Sequence, residues 1–436
     1  MKVLAASTGS SLPPAALPPG PAAGVLSQTV AFQRDPLGFL RQAQEEFGDV
    51  FTLRLLTARP LLVVADPAAL PLLLESDPKR AAAGSGRRML LPFASTSSVF
   101  GADAEAHQAA RERIAPALSA AAIDAHRPEM ARIAARHAAE FPSSHPFQLL
   151  PHVRAITDEI FVRLVLGVRD QRIAADLVAA IQQMLWTPGN PPLTLPGRGD
   201  GAFGELGQLL FQRRQAPVAR QLGRAIEARR AEGPGGGEDV LGRMVSATPA
   251  LESAEIVDEL MSLLMAAQEP PSIALTWLLD RLGREPLLAD RFLADPRSGL
   301  ADAVVRETLR LRPPAAGVLR RLREPMAVAG RVLPAGVNIL VPSVLVHHDP
   351  RLFPEPERFL PERWGTADAA EEAYFPFGGG ARRCIGEPLA HAEIETLAPA
   401  VLETVRLQPL APEAEPMVQR GTVLVPRQSL LVQRRD

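Results

Sequence analysis

FPFGGGARRCIGEPLA, residues 375–390, holds the only cysteine of a 436-residue chain, Cys384. A lone cysteine makes no internal disulfide, and no second cysteine or histidine stands at the spacing of a zinc site. Most single cysteines are small buried residues or inert thiols. The setting of this one argues for more. The glycines around it let backbone N–H groups approach the sulfur, and Arg382 and Arg383 beside it favour the thiolate.

The bulk numbers bound the rest. With 47% hydrophobic residues the chain can bury a large core, and a formal charge of -2 gives no footprint for nucleic acid. One cysteine fits a reducing compartment. The opening MKVLAASTGSSLPPAALPPGPAAG lacks the continuous apolar run of a signal peptide, and no stretch approaches the apolar length of a membrane span. These features predict a soluble, cytoplasmic protein without a membrane anchor or a nucleic-acid partner.

Residues 1–27, rich in Ala, Pro, Gly and Ser, read as a flexible or extended lead-in, and residues 28–436 as one domain. VFTLRLL and PLLVVA predict a strand pair over 50–56 and 60–65. From Asp66 to about Leu311 the pattern is mostly helical, broken by Gly/Pro-rich loops at 187–201 and 232–239. Short strands return after Pro313, including VNILVPSVLV, and TVLVPRQSLLVQ near the end reads as a hairpin. The expected fold is mainly α with small β-sheets drawn from both ends of the chain. A helix apolar nearly all round, from a Ser253 cap to about Leu282 and stopped by Gly283 and Pro286, should cross the middle of the core. A second helix, ADAVVRETLRLR, carries Glu307 and Arg310 three residues apart on one face, a spacing that by itself is most often a surface bridge.

Around Cys384 stand Phe377, Gly380, Arg382 and Gly386; from the chain's own composition these four arise there by chance roughly 2 times in 100,000. Together they resemble the heme-binding signature of the cytochrome P-450 family, F-x-x-G-x-R-x-C-x-G, and the resemblance covers nearly the whole chain. ETLR (Glu307, Arg310) is similar to the family's E-x-x-R, and LPERW supplies its third partner, Arg363. The resemblance implies that these three side chains lock the helix to the loop ahead of the heme. HQAAR is similar to the family's pair binding a heme propionate, here His107 and Arg111, with Arg320 of VLRRLREP and Arg382 completing the clamp. HHDP (His347–Pro350) and LPPGP also match family segments; for His347 and His348 nothing nearby suggests a metal site. The implied fold puts heme b between the central long helix and the cysteine loop, with Phe377, Gly378 and Gly386 against it and Cys384 as its axial ligand. A buried dianionic porphyrin edge needs arginines, and a thiolate on iron donates electrons that favour O–O cleavage.

One segment departs from the family. Its central helix usually reads A/G-G-x-D/E-T-T/S, with a threonine that supports protonation of iron-bound oxygen. Here the residues are Ala266, Ala267, Gln268, Glu269, Pro270 and Pro271. The acid is present and both hydroxyls are proline. Read as an interior kink, each proline removes a helical hydrogen bond at about 3 kcal/mol or more, and such strain marks a functional site, with Gln268, Glu269 and Pro270 as the catalytic candidates. Two functions follow. One is a monooxygenase fed by a separate ferredoxin and ferredoxin reductase, acting on a mid-sized, natural-product type organic molecule. The other is a heme-thiolate enzyme that works without O2 activation, by peroxide use, O–O rearrangement or N–O cleavage with group transfer. By family analogy the pocket is lined by 84–101, 187–201, 261–269, 315–319 and the final hairpin turn, an apolar surface apart from arginines.

Overall fold

Phe51 and Leu53 on one face and Leu61 and Val63 opposite them make β1 (Val50–Leu53) and β2 (Leu61–Val64) an antiparallel pair buried on both sides. The pair opens a five-stranded sheet ordered β1-β2-β8-β5-β3, completed by β3 (Ala81–Ala82), β5 (Val318–Leu322) and β8 (Asn338–Val341). Only β2 and β8 run parallel. A two-stranded ribbon, β6 (Met326–Val328) with β7 (Arg331–Leu333), lies between β5 and β8 in sequence. The computed structural model describes residues 17–56, 60–76, 79–90, 95–186, 202–233, 237–295, 298–366 and 370–435, so the expected pocket loop 187–201 lies outside the described residues.

Part of the lead-in is bound. Thr52 donates its N–H to the Pro19 carbonyl (3.0 Å) and its hydroxyl to that of Pro18 (2.6 Å). A helix, α1 (Val25–Arg34), already begins inside the 1–27 range. The far end also differs from expectation. TVLVPRQSLLVQ forms no hairpin with itself: β11 (Val423–Pro426) pairs with β10 (Met417–Arg420), while β12 (Leu431–Arg435) pairs with β9 (Arg406–Pro409) and β4 (Phe147–Gln148). Ser429 and Leu430, with φ of 66° and 55°, form a left-handed corner that carries the chain from one sheet to the other.

Helices make up most of the chain. Those that build the site are α1, α2 (Ala83–Leu90), α3 (Ala104–Ile114), α4 (Leu149–Ile160), α5 (Ser253–Ala267), α6 (Glu269–Arg284), α7 (Gly299–Leu311) and α8 (Glu387–Thr404). The single long helix expected from Ser253 is thus two, parted at Gln268. Its cap is Glu252, in a reciprocal pair with Glu255, while the Ser253 hydroxyl accepts from Arg230 (2.7 Å). Pro270 and Pro271 fall in the first turn of α6, where an N–H has no helical partner in any case. The cost of an interior proline is therefore not incurred. Gly283 does not stop α6 but lies within it, where a Cβ would come 2.7 Å from the Leu407 carbonyl; the helix ends ahead of Pro286. From Pro271 to Asp280 α6 is buried, at the centre of one continuous core.

Candidate functional site

The cysteine loop is shaped by its own backbone. Gly378 and Gly380 have φ of 71° and 60°, and a Cβ on Gly380 would lie 2.7 Å from the Leu74 carbonyl. Only glycine fits there. The turn closes with Cys384 N–H donating to the Phe377 carbonyl (2.9 Å), and Phe377 packs its ring beside His391. Gly386 then caps α8, so the sulfur sits at the positive end of an 18-residue helix. Cys384 Sγ is exposed, and its exposure is to a cavity of about 1250 Å³. Burial by the surrounding chain pushes its thiol up, and Glu387 adds to this; the Gly386 N–H, Arg87 and Arg111 act the other way. The neighbouring arginines expected to favour the thiolate are engaged elsewhere, Arg383 with Glu387 (2.6 Å) and Arg382 with Asp103 (3.1 Å).

Behind the loop, Glu307, Arg310 and Arg363 are brought together. Glu307 and Arg310 are fully buried rather than a surface bridge: Arg310 Nε and Nη2 each donate to the carboxylate at 2.9 Å. Arg363 Nε (3.1 Å), Trp364 Nε1 (3.1 Å) and the Leu360 N–H (2.9 Å) fill the remaining acceptor sites. Arg310 reaches on to the carbonyls of His347 (2.6 Å) and Pro356 (2.8 Å). His347 carries the contact further, because its Nε2 accepts the Phe375 N–H (3.1 Å) at the start of the cysteine loop. Burial holds this imidazole well below its ordinary pKa, so it stays a neutral acceptor. His348 bonds locally through Nδ1, to the Val344 carbonyl (2.8 Å), while its Nε2 is buried without a hydrogen-bond partner among the described residues. Nothing in the order of HHDP distinguishes the two histidines.

On another wall stand His107 and Arg111, on α3, with Arg382. Burial, then Arg382, Arg111 and Arg87, hold His107 down to about 4, so it is neutral near pH 7. Arg111 donates to the Arg383 carbonyl (2.9 Å). Arg382 gives one nitrogen to Asp103 and the Ala102 carbonyl, and its Nε and Nη1 are buried without a partner among the described residues. Arg320 departs from expectation. It is buried, donates to the carbonyls of Leu319 (3.0 Å) and Leu74 (3.1 Å), and is not among the lining residues. Strand alternation does not account for this, since Val318, Leu319, Arg321, Leu322 and Arg323 all line the cavity; the Arg320 guanidinium is bonded to the Leu74 carbonyl instead. Two roles were not singled out in the sequence reading, although Arg87 falls inside the expected lining 84–101. Arg87 of α2 lines the cavity near Cys384, and Asp103 ties Arg382 to Arg323 (3.2 Å) and to the N–H groups of Gly84 (2.7 Å) and Ser85 (2.9 Å). Asp103, one helical turn before His107, could have been found as the residue ahead of α3; Arg87 carried no such signal.

Where α5 meets α6, Ala266, Ala267, Glu269, Pro270 and Pro271 line the cavity. Gln268 does not. Its side chain turns away and donates to Asp158 of α4 (3.2 Å). Glu269 pairs with Arg154 (3.3 Å), and burial raises its carboxyl while Arg154 and Arg420 oppose the rise. The nearest hydroxyl, Ser272, is spent on the carbonyls of Gln268 (3.1 Å) and Glu269 (2.9 Å). Behind this junction Asp158 is pushed up to about 7 and Glu393 of α8 to about 8, both mainly by burial. From 84–101 the lining takes Ser85, Arg87, Val99 and Phe100; Ala315–Leu319 and Gln419–Val423, at the β10–β11 turn, complete the expected walls.

The model of the cytochrome P450 family matches residues 14–295 and 297–434. The chain belongs to that family. It is 31% identical over 424 residues to putative cytochrome P450 135B1 of Mycobacterium tuberculosis, covering 94% of this chain and 89% of the relative. With putative cytochrome P450 138 of the same organism it shares 28% over 433 residues, 96% of this chain and 97% of the relative. Among solved structures, the retinoic acid-bound cyanobacterial CYP120A1 superposes with a TM-score of 0.81 at 23% identity, over 96% of this chain and 99% of that one, which shows the same fold. Cytochromes P450 are heme-thiolate oxidoreductases that carry heme b, bind organic substrates and take electrons from redox partners. The residues present suit that cofactor: the cavity has the room, the chain's one cysteine lines it, and Arg382 offers buried donors without a partner among the described residues. Among the described residues no helix is long and apolar enough to cross a membrane.

Proposed function

We propose that Cys384 holds the heme iron as a thiolate and that this cytochrome P450 is a monooxygenase. Its substrate would be a mid-sized organic molecule of the natural-product type, with O2 as oxidant and electrons from a separate ferredoxin and its reductase. The observation that carries this reading is Glu269: a titratable carboxyl lines the same cavity as the lone cysteine, although both hydroxyl positions beside it are proline. Bound heme b supplies the redox-active iron at which oxygen is activated. The chain supplies the rest. The Gly386 N–H and the start of α8 favour the sulfur's anionic form. Arg111, Arg382 and neutral His107 are the donors for the propionates; Arg320, turned to carbonyls, lies behind them. Glu269, its carboxyl raised by burial and its carboxylate paired with Arg154, holds a proton at the cavity wall and offers it to the cavity, a role that needs a donor within hydrogen-bond reach or one water away.

A second reading, catalysis without O2 activation, draws on the same junction. With Pro270 and Pro271 on the wall and Ser272 bonded to backbone, none of these three offers a hydroxyl to the cavity, and the hydroxyl that lines it from α5 is that of Ser262, before the junction. The reduced, CO-bound holoprotein should show the strongly red-shifted Soret band of thiolate ligation, and Cys384→Ala should abolish it. Turnover that needs O2 and a reduced ferredoxin supports the monooxygenase. Turnover in an anaerobic vessel without reductant, on a substrate carrying its own oxidised bond, replaces it with the second reading.

A further inference from the structure

We infer that the substrate is an apolar molecule bearing a carboxylate, held by the arginines gathered where α2, α3 and β5 meet the cavity. The inference rests on the heme reading above and deepens it to a substrate class. Its ground is charge. Arg87, Arg111, Arg320, Arg323 and Arg382 form one cluster, in which Arg87, Arg320 and Arg111 all act on Arg382. Among the described residues Asp103 is the one carboxylate bonded within it, accepting from Arg382 (3.1 Å) and Arg323 (3.2 Å). The other charges on the wall are paired away: Arg383 with Glu387, and Glu269 with Arg154. Most of the cluster's remaining bonds go to carbonyl oxygens, Arg87 to Phe100 (3.4 Å), Arg111 to Arg383 (2.9 Å) and Arg320 to Leu74 (3.1 Å), which satisfy donors without cancelling charge.

Heme b brings two propionates. Among the described residues, five guanidiniums then stand against three negative groups. Of the two charges in excess, one is softened by water, because the Arg323 side chain is 52% exposed. The other is left to be met by something the cavity takes in, since an unmatched buried cation is costly. A single carboxylate meets it with the forked geometry that a guanidinium favours. Elsewhere the lining is mostly apolar, with Val30, Phe32, Leu263, Met265 and Val423 among a few polar side chains such as Gln33 and Gln419, so the body attached to that carboxylate is largely hydrocarbon.

The test titrates the holoenzyme with three probes of one chain length: dodecanoate, 1-dodecanol and dodecyltrimethylammonium, none of which is an amine able to ligate iron. Binding is read by calorimetry and by the spin-state shift of the Soret band, at about pH 7.5, where a carboxylic acid is ionised. Dodecanoate should bind at least about tenfold more tightly than dodecanol, with the cation weakest. The acid's advantage should shrink as salt rises from about 20 to about 500 mM. In Arg87→Gln and Arg323→Gln the ratio of acid to alcohol affinity should fall at least about threefold. Equal affinities, a preference for the cation, no binding of the acid, or a ratio unchanged in both variants would overturn the inference. A holoenzyme lacking the red-shifted CO band defeats the heme-thiolate reading; one that shows the band without preferring the acid defeats only this proposal.

Discussion

Replacing Glu307 by alanine removes one carboxylate and leaves five donors facing a hole. Arg310 Nε and Nη2, Arg363 Nε, Trp364 Nε1 and the Leu360 N–H all point at it, and neither Glu307 nor the Arg310 side chain has exposed surface. Water cannot take its place without repacking, so two guanidinium charges lose their counterion inside the protein. Breaking such a pair costs about 3–5 kcal/mol. Against a total stability of about 5–15 kcal/mol this is a large fraction, and it shifts the folding equilibrium by roughly two to four powers of ten. The loss is also directional. Arg310 holds the His347 carbonyl, and His347 Nε2 holds the Phe375 N–H, so slack in the network is transmitted to the residues leading into Cys384. Urea unfolding of Glu307→Ala should show a midpoint lowered in proportion, and the purified protein should carry little heme, with part of its CO complex lacking the red-shifted band. Glu307→Gln, which keeps the shape and one acceptor oxygen, should fall between. A variant that loses less than about 1 kcal/mol, loads heme fully and keeps the band would refute the reasoning, because a buried charge cannot be removed at so small a cost if its partners stay buried.

Other outcomes follow from single contacts. Gly380→Ala forces a Cβ at φ 60° against the Leu74 carbonyl, so heme occupancy after purification should drop sharply; normal occupancy would mean that the loop has another accessible shape. Glu393 keeps its proton in the folded protein up to about pH 8, whereas the unfolded chain loses it near the ordinary glutamate value of 4.5. Between those values the folded state binds more protons, so stability falls as pH rises, at about 1.4 kcal/mol per pH unit for one carboxyl. Glu393→Gln should match the parent near pH 4.5 and exceed it at pH 8.5 in urea melts; parallel curves at the two pH values would sink the assignment. In the monooxygenase reading, Glu269→Gln should lower product formation severalfold and divert reducing equivalents to peroxide, whereas Pro270→Thr should leave the rate intact or improve coupling. Peroxide yield per electron is the measurement that separates them.

The sequence by itself determined the chemistry of one loop and the family it belongs to. A cysteine, an arginine, a phenylalanine and two glycines at fixed offsets form a local code, because a tight turn around a sulfur depends on residues within ten positions of it. Glu307, Arg310 and Arg363 were legible for a similar reason, each lying in its own short pattern. Tertiary structure decided whatever depended on which face a side chain takes. Arg320 and Arg321 are adjacent in β5, and only the second lines the cavity, the first being bonded to the Leu74 carbonyl from another part of the chain. Gln268 and Glu269 are adjacent at a helix break, and they part company there, one toward Asp158 and the other toward the cavity. Pro270 and Pro271 read as kinks in one long helix, yet they open a second helix, because a break at Gln268 moves the missing N–H groups to a turn that has no use for them. Arg87 and Asp103 belong to no pattern at all. They join the site because α2, α3 and the cysteine loop converge across nearly three hundred residues of sequence, and charges brought that close must be matched wherever the chain came from.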